Sequence, residues 1–284
     1  MKLANYVISL LAAAMLVGPM ATPCAAQDTT ADWTWSSPSA VETDPWRFNL
    51  NGYGWLPKAP VTISTPGGRE ESIPEKFSKI LDDLKFAAMG EAEIHKGPFG
   101  VFVSPIFYKG EDDEHFTGPL GASRKVTLDE TVWLIKYGAS YDLGMLRLGE
   151  NPQSPTVTLQ PYVGGLFFHD KIKLDVSPGA LGVGLRVRET IEFNTVIVGL
   201  NTLWDLSDRW SLRIGGNIGG WDVDDVKKTY DVVGDIAYHF EMYGQPAKVF
   251  AGYRYLHVNF DDDSLDINLK VDVKGPFVGF GLEF

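Results

Sequence analysis

Cysteine is nearly absent from this chain. Its 284 residues hold one, Cys24, and that one lies in a leader-like start. Lys2 precedes an apolar run from Leu3 to Val17, followed by Gly18, Pro19 and the small-residue stretch Cys24-Ala25-Ala26. This reads as a secretory signal, residues 1–26, cleaved after Ala26. The mature chain then has no cysteine, so no disulfide can staple it, although an exported protein meets an oxidising compartment. Acylation of Cys24 would make a lipoprotein instead, but Pro23 and the Ala21-Thr22 pair before it suit that processing poorly.

Long apolar runs are also missing. Nothing after the leader approaches 18 consecutive apolar residues, which excludes a membrane-spanning helix. Basic residues are outnumbered, with 25 Lys and Arg against 37 Asp and Glu. Loss of Lys2 with the leader moves the formal charge to about −13, which argues against nucleic acid as a partner. Enzyme signatures are absent too: there is no Gly-x-Ser-x-Gly, no His-Glu-x-x-His and no phosphate loop. The histidines, His95, His115, His169, His239 and His257, are scattered. No cofactor or metal is implied.

What the chain does have is alternation. In Lys270–Phe284, counting back from the last residue, Phe284, Leu282, Phe280 and Val278 fall on one side of an extended strand. Glu283, Gly281, Gly279 and Phe277 fall on the other. An apolar strand ending on an aromatic residue is an aggregation hazard in water, and a closed barrel in lipid removes it because the last strand pairs with the first.

Ten such strands can be read: Trp46–Leu56, Lys85–His95, Phe99–Lys109, Val126–Leu143, Thr156–Val176, Arg186–Leu206, Trp210–Val223, Lys227–Phe240, Lys248–Phe260 and Ile267–Phe284. Residues 27–45, rich in Asp, Thr, Ser and Pro, read as a loose periplasmic tail. The long first connection carries one helical pattern, with Ile73, Phe77, Ile80, Leu81 and Leu84 at helical spacing. Ser72 and Glu75 form a capping box there, and Pro74 suits the first turn. The expectation is a short amphipathic helix packed over a barrel rim, with a lid or plug as the other reading. Connections after the second, fourth, sixth and eighth strands are short or moderate, and the others are mostly longer, more acidic or more glycine-rich. Short turns on one side and longer loops on the other, with an even strand count, predict an all-β antiparallel transmembrane barrel over residues 46–284. Ten strands is the count favoured, with eight or twelve as the alternatives. Several strands exceed the usual length in a soluble sandwich.

The apolar faces put Trp46, Phe48, Leu50, Tyr137, Tyr141, Trp210, Leu212, Ile214, Ile236, Tyr238, Tyr253, Tyr255 and Phe284 outward, where aromatics near strand ends suit interfacial girdles. The inward set collects Arg47, Asn49, Asn51, Glu91, Glu93, Lys136, Asn201, Arg213, Asn217, Asp235, His239 and Arg254. A basic residue facing lipid near the midplane costs about 2–4 kcal/mol, which drives these groups inside. Glu91 and Glu93 share one wall, as do Asp235 and His239, with Arg254 on the neighbouring strand. The reading is a polar network filling a narrow lumen, and hence a structural or interaction role at the cell envelope. The alternative is a narrow channel for small polar solutes. A third reading is an outer-rim hydrolase like the omptin-type proteases, built from His257 with Asp261 and Asp262 or from His169 with Asp170. The acidic runs Glu111–Glu114, Asp222–Asp225 and Asp261–Asp263 read as solvated loops, with divalent-ion bridging of lipopolysaccharide as the functional alternative.

Four segments carry a resemblance: Asp83-Leu84-Lys85-Phe86-Ala87-Ala88-Met89-Gly90-Glu91, Asp208-Arg209-Trp210-Ser211-Leu212, Gly252-Tyr253-Arg254-Tyr255 and Gly275-Pro276-Phe277-Val278-Gly279-Phe280-Gly281. In that order they resemble a widespread, functionally uncharacterised family of proteobacterial outer-membrane barrels within the opacity-protein and OmpA-like group. The resemblance covers essentially the whole mature chain. It implies insertion into the bacterial outer membrane by the barrel-assembly machinery through a terminal signal at Phe280, Leu282 and Phe284, and the reading adopted is a monomer among outer-membrane lipid and lipopolysaccharide. The family lends no activity, so it implies no catalytic residue. The long connection Pro57–Leu84 departs from the compact eight-stranded members.

Overall fold

A computed structural model of the protein describes residues 33–36, 45–57, 61–65, 69–73, 84–117, 123–151, 153–176, 185–262 and 267–284. These belong to one unit, Asp32–Phe284, and all their regular structure is strand. The fourteen strands are β1 (Trp33–Ser36), β2 (Trp46–Trp55), β3 (Val61–Thr65), β4 (Arg69–Ile73), β5 (Leu84–Lys96), β6 (Phe99–Thr117), β7 (Ser123–Tyr141), β8 (Gly144–Leu148), β9 (Thr156–Val176), β10 (Leu185–Asp205), β11 (Trp210–Val223), β12 (Val226–Met242), β13 (Gln245–Asp262) and β14 (Ile267–Glu283).

Ten of them close a ring. Following the hydrogen bonds gives β9-β10-β11-β12-β13-β14-β2-β5-β6-β7, and β7 pairs back onto β9. Every pairing is antiparallel, and β14 meets β2 with Phe280 opposite Gly52 and Leu282 opposite Leu50. The ten strands anticipated from alternation are these ten. Closure leaves no edge along the length that all strands share. Beside the ring, β8 pairs β9 and carries β1, while the β3–β4 hairpin extends β14. Residues 27–45 therefore include a paired strand, β1, rather than only a loose tail. The backbone groups of Trp33–Ser36 find partners along Met145–Leu148.

Helical spacing in the first connection loses to sheet pairing at both ends. Ser72 and Ile73 belong to β4, and Leu84 opens β5. The residues between, 74–83, lie outside the described residues, as do the leader and the proposed cleavage point. The acidic runs are a second departure. Glu111–Glu114 continue β6, register-paired with β7 through Thr117 and Ser123. A continuous ladder from the partner strand outweighs the low strand preference of Asp and Glu. Asp261 and Asp262 likewise end β13. Between β11 and β12 the connection is only the turn Asp224-Asp225, both residues at positive φ (53° and 61°), which a two-residue type I′ hairpin requires. The asymmetry between the two ends of the barrel thus resides in strand length more than in loop length.

Inside, two rings lie flat against glycines. Phe250 stands opposite Gly279 and Phe277 opposite Gly252 in the ladder. A Cβ at Gly279 would fall 2.3 Å from the Phe250 ring, and one at Gly252 would fall 2.6 Å from Phe277. The bare backbone lets each aromatic fold onto the wall and frees the centre for polar side chains.

Candidate functional site

Strand parity sorts the wall into two surfaces of opposite chemistry. Outward positions form an apolar belt to which each ring strand contributes: Trp46, Phe48 and Leu50 in β2, Phe86 and Ile94 in β5, Phe99, Val101 and Val103 in β6, Trp133 and Tyr137 in β7, Val163 in β9. Val196 and Val198 in β10, Ile214 and Ile218 in β11, Val232 and Ile236 in β12, Val249 and Tyr253 in β13, and Val278 and Phe280 in β14 complete it. In β6, β7, β10 and β11 the belt occupies 99–107, 133–141, 196–204 and 210–218, and from β14 to the residue after it 276–284. Each stretch is about nine residues, the length a tilted strand needs to cross a bilayer. Past the belt the same face turns polar, at Lys109, Asp129, His169, Glu192, Lys228 and Asp272.

Inward positions meet across the lumen. Arg213 in β11 donates Nε to Asp235 Oδ2 at 2.7 Å and Nη1 to Glu91 Oε1 at 2.9 Å. Asp235 is its cross-strand neighbour, whereas Glu91 stands on β5, half-way round the ring. Asn51, opposite Glu91 in the ladder, donates to the same carboxylate at 3.3 Å. A second cluster centres on Asp231. Arg254 grips it with two donors, Nε at 2.9 Å and Nη2 at 2.8 Å, and Lys136 reaches it from β7 on the far wall at 3.3 Å. The Arg254 guanidinium also lies 5.2 Å from the centre of the Trp55 ring. Bidentate arginine–carboxylate pairing of this kind combines charge with fixed geometry. Tyr162 accepts from Asn217 at 3.0 Å and lies edge-on to Phe102.

Toward the long-hairpin end the interior becomes apolar. Ile106, Leu134, Leu166, Phe193, Ile197, Leu256 and Val258 are buried there, and Phe193 stacks between Phe168 and Phe260 with ring centres 5.0 and 5.9 Å away. Free space among the polar side chains amounts to about 50 Å³, lined by residues that include Glu91, Lys136, Arg213 and Arg254. That is room for a few waters. Asn51 lines this space, and its Oδ1 is buried with no partner among the described residues.

The inward residues named from sequence do not all join the centre. Glu91, Glu93, Asn51, Lys136, Arg213, Asp235 and Arg254 do. Arg47, 58% exposed at its side chain, pairs instead with Asp142 at 3.7 Å at the short-turn rim. Glu93 lines the central space and also meets His95 at 3.5 Å. His239, expected beside Asp235 and Arg254, bonds Ser211 Oγ at 2.8 Å and approaches Glu283, which Lys248 also reaches at 3.1 Å. Spacing of four on one wall puts Asp235 and His239 too far apart along the strand to touch. Asp231 and Tyr162 were not singled out from sequence. The signal for Asp231 was there, since it has the same parity as Asp235 four residues on.

The rim pairs do not assemble as envisaged either. His169 and Asp170 are consecutive and face opposite sides of the wall: His169 turns outward to Glu192 at 2.7 Å, while Asp170 is buried inside. His257 is held at 2.9 Å by Asp272 of β14. Asp170 lies past the belt, in register between Val132 and Ile191. Its Oδ1 has no partner among the described residues, and burial pushes the carboxyl up to about 6 against a small opposing pull from His169. Asp272 goes the other way. Partial burial raises it, but hydrogen bonds from Tyr255 and His257 outweigh that and hold it below the usual carboxylate range.

The chain is similar to the attachment invasion locus protein Ail of Yersinia pestis, solved with the heparin analogue sucrose octasulfate, at 12% identity and a TM-score of 0.33, over 85% of this chain and 100% of that one. Neisserial surface protein A is similar at 14% identity and a TM-score of 0.26, over 84% and 97%. OmpT, an outer membrane protein of Vibrio cholerae, is similar at 8% and 0.23, over 85% and 100%. These neighbours are outer-membrane β-barrels. At such similarity no role and no residue correspondence passes to this chain. No family model matches the sequence, and no curated protein matches it significantly.

Proposed function

We propose that the protein is a bacterial outer-membrane β-barrel with a structural or interaction role at the cell envelope, its lumen closed by its own ion pairs. The belt supports the membrane setting. Every ring strand turns apolar side chains outward over one crossing length, and an exposed apolar surface that completely encircles a protein is costly in water. The observation that carries the closed lumen is the contact between Arg213 and Glu91, 2.9 Å apart from opposite walls. A strut across the full diameter narrows the bore at that height, and the Phe168–Phe193–Phe260 stack supports closure at a second height. Outer-membrane lipid and lipopolysaccharide are the surroundings this reading assigns. Phe280 and Leu282, on the outward side of β14, and Phe284 just past its end are the residues it assigns to recognition by the barrel-assembly machinery, and the working state is a monomer.

The interaction half of the role falls to the long hairpins. β6, β7, β9 and β10 run on beyond the belt by roughly 30 Å along the strand at 3.3 Å per residue. The test is to reconstitute the full chain in planar bilayers and vesicles. Insertion with no steady single-channel current is the expected outcome. A stable current in the unmodified protein supports the narrow channel instead, and a chain that stays soluble and monomeric without detergent removes the membrane reading altogether.

A further inference from the structure

We propose that the outer wall of β12, β13 and β14, immediately past the apolar belt, is a binding site for the phosphate-bearing headgroup of a membrane lipid. The proposal rests on the belt being a membrane contact. Register sets the patch out in rows across the three strands: Lys228, Asn259 and Lys270, then Tyr230, His257 and Asp272, then Val232, Tyr255 and Lys274. The next rows are belt, Gly234, Tyr253 and Pro276, then Ile236, Ala251 and Val278.

The middle of the patch is a fixed plate. Tyr230 stacks on His257 with ring centres 4.6 Å apart, and its hydroxyl meets that of Tyr255 at 3.2 Å. Tyr255 donates to Asp272 Oδ1 at 2.5 Å, and His257 Nδ1 lies 2.9 Å from the same oxygen. The patch's one acid is thereby occupied by its neighbours, and its charge is partly spent on them. Lys228 lies across the Tyr230 ring at 5.5 Å. Lys228 and Lys274, at opposite corners, are both exposed.

Elsewhere at this height the outward face mixes cations with acids, apart from Lys109 and Lys171, which stand either side of Thr131. His169 of β9 faces Glu192 of β10, and Lys173 of β9 stands opposite Asp129 of β7. On β12–β14 the exposed cations outnumber the acid, in a chain whose net charge is −12. Lysine stems resting on a wall of rings keep their ammonium groups at the edge of the apolar zone, where a lipid phosphate lies. The acyl chains of the same molecule would descend over Val232, Tyr253 and Val278, which are 37%, 53% and 60% exposed. That continuity selects a lipid over a free phosphate ion.

The full chain, folded in dodecylmaltoside, is mixed with equal amounts of phosphatidic acid and phosphatidylcholine of one chain length, and retained lipid is counted by native mass spectrometry. The unmodified protein is expected to retain phosphatidic acid selectively. Lys228→Gln with Lys274→Gln should cut that retention about thirtyfold, in line with the attraction of two surface lysines for an anionic headgroup. Lys109→Gln with Lys171→Gln, two exposed cations elsewhere on the same face, should leave it unchanged. Each pair is compared at an unaltered unfolding midpoint. Equal retention by the Lys228/Lys274 variant, or equal loss in the Lys109/Lys171 variant, overturns the site. So does displacement of the lipid by inorganic phosphate at the same concentration. Failure of the unmodified protein to hold either lipid refutes the membrane contact itself and is distinguishable from loss of selectivity alone.

Discussion

Arg213 serves two acids at once, and this sets the sign of any change made to it. Arg213→Ala leaves Glu91 and Asp235 charged inside the wall with no cation between them. Breaking a buried pair in this way costs about 3–5 kcal/mol, read as a lower urea midpoint for the protein folded in vesicles. The triple variant Arg213→Met, Glu91→Gln, Asp235→Asn removes all three charges and should recover most of that loss. Asp170 behaves oppositely, because its burial disfavours the charged form. Its folded value of about 6 exceeds the unfolded value of about 3.9, so its contribution is fully present below the unfolded value and is lost as pH rises through the folded one. Asp170→Asn is therefore expected to stabilise the barrel at pH 8 by up to about 3 kcal/mol and to change nothing near pH 3. Unfolding midpoints at the two pH values check both halves. Equal effects at both would show that shape rather than charge is responsible.

At the level of strands, glycine and aromatic residues divide the work of building a narrow lumen. Gly252→Ala drives a methyl toward the Phe277 ring and to 2.3 Å from the carbonyl oxygen of Gly234, and backbone cannot yield as a side chain tip does. Overpacking of this kind costs about 1–3 kcal/mol, seen as a lowered thermal midpoint. A substitution on the other face tests the belt. Ile214→Arg, half-way along β11's outward row, should destabilise the lipid-embedded barrel by about 2–4 kcal/mol, with little change for an arginine placed past the belt at Thr190. Where β10 outruns β11, the chain spends local strain to cover the exposed ladder. Trp221 and Asp222 sit at positive φ (52° and 61°), and Asp224 accepts the backbone N–H of Asn194 at 2.7 Å. Period-two alternation made the ten strands readable, including Phe277 on the inner face of the last one. The helical reading around Ile73 failed at its ends because short apolar segments fit either period, and pairing of β4 with β3 decided between them.

For the molecule as a whole, the cross-lumen contacts make stability and impermeability separable. Glu91→Ala or Arg254→Ala should lower the unfolding temperature while bilayer conductance stays near zero, since the apolar stack and the remaining cluster still fill the bore. Conductance appearing in Glu91→Ala alone would identify the Arg213 strut as a gate rather than a brace.

Residue order alone determined that this is a wall with two chemistries, because parity along a strand is a local property: Trp46, Phe48 and Leu50 had to share a face, and so did Glu91 and Glu93. Charge and hydropathy then dictated which face turned inward. The partners of those charges were beyond its reach. Asp231 could be counted as inward from its parity, yet its pairing with Arg254 depends on the register between β12 and β13, and its contact with Lys136 on the curvature that closes the ring. Only closure brings β5 opposite β11, so only the tertiary structure could assign Glu91 to Arg213.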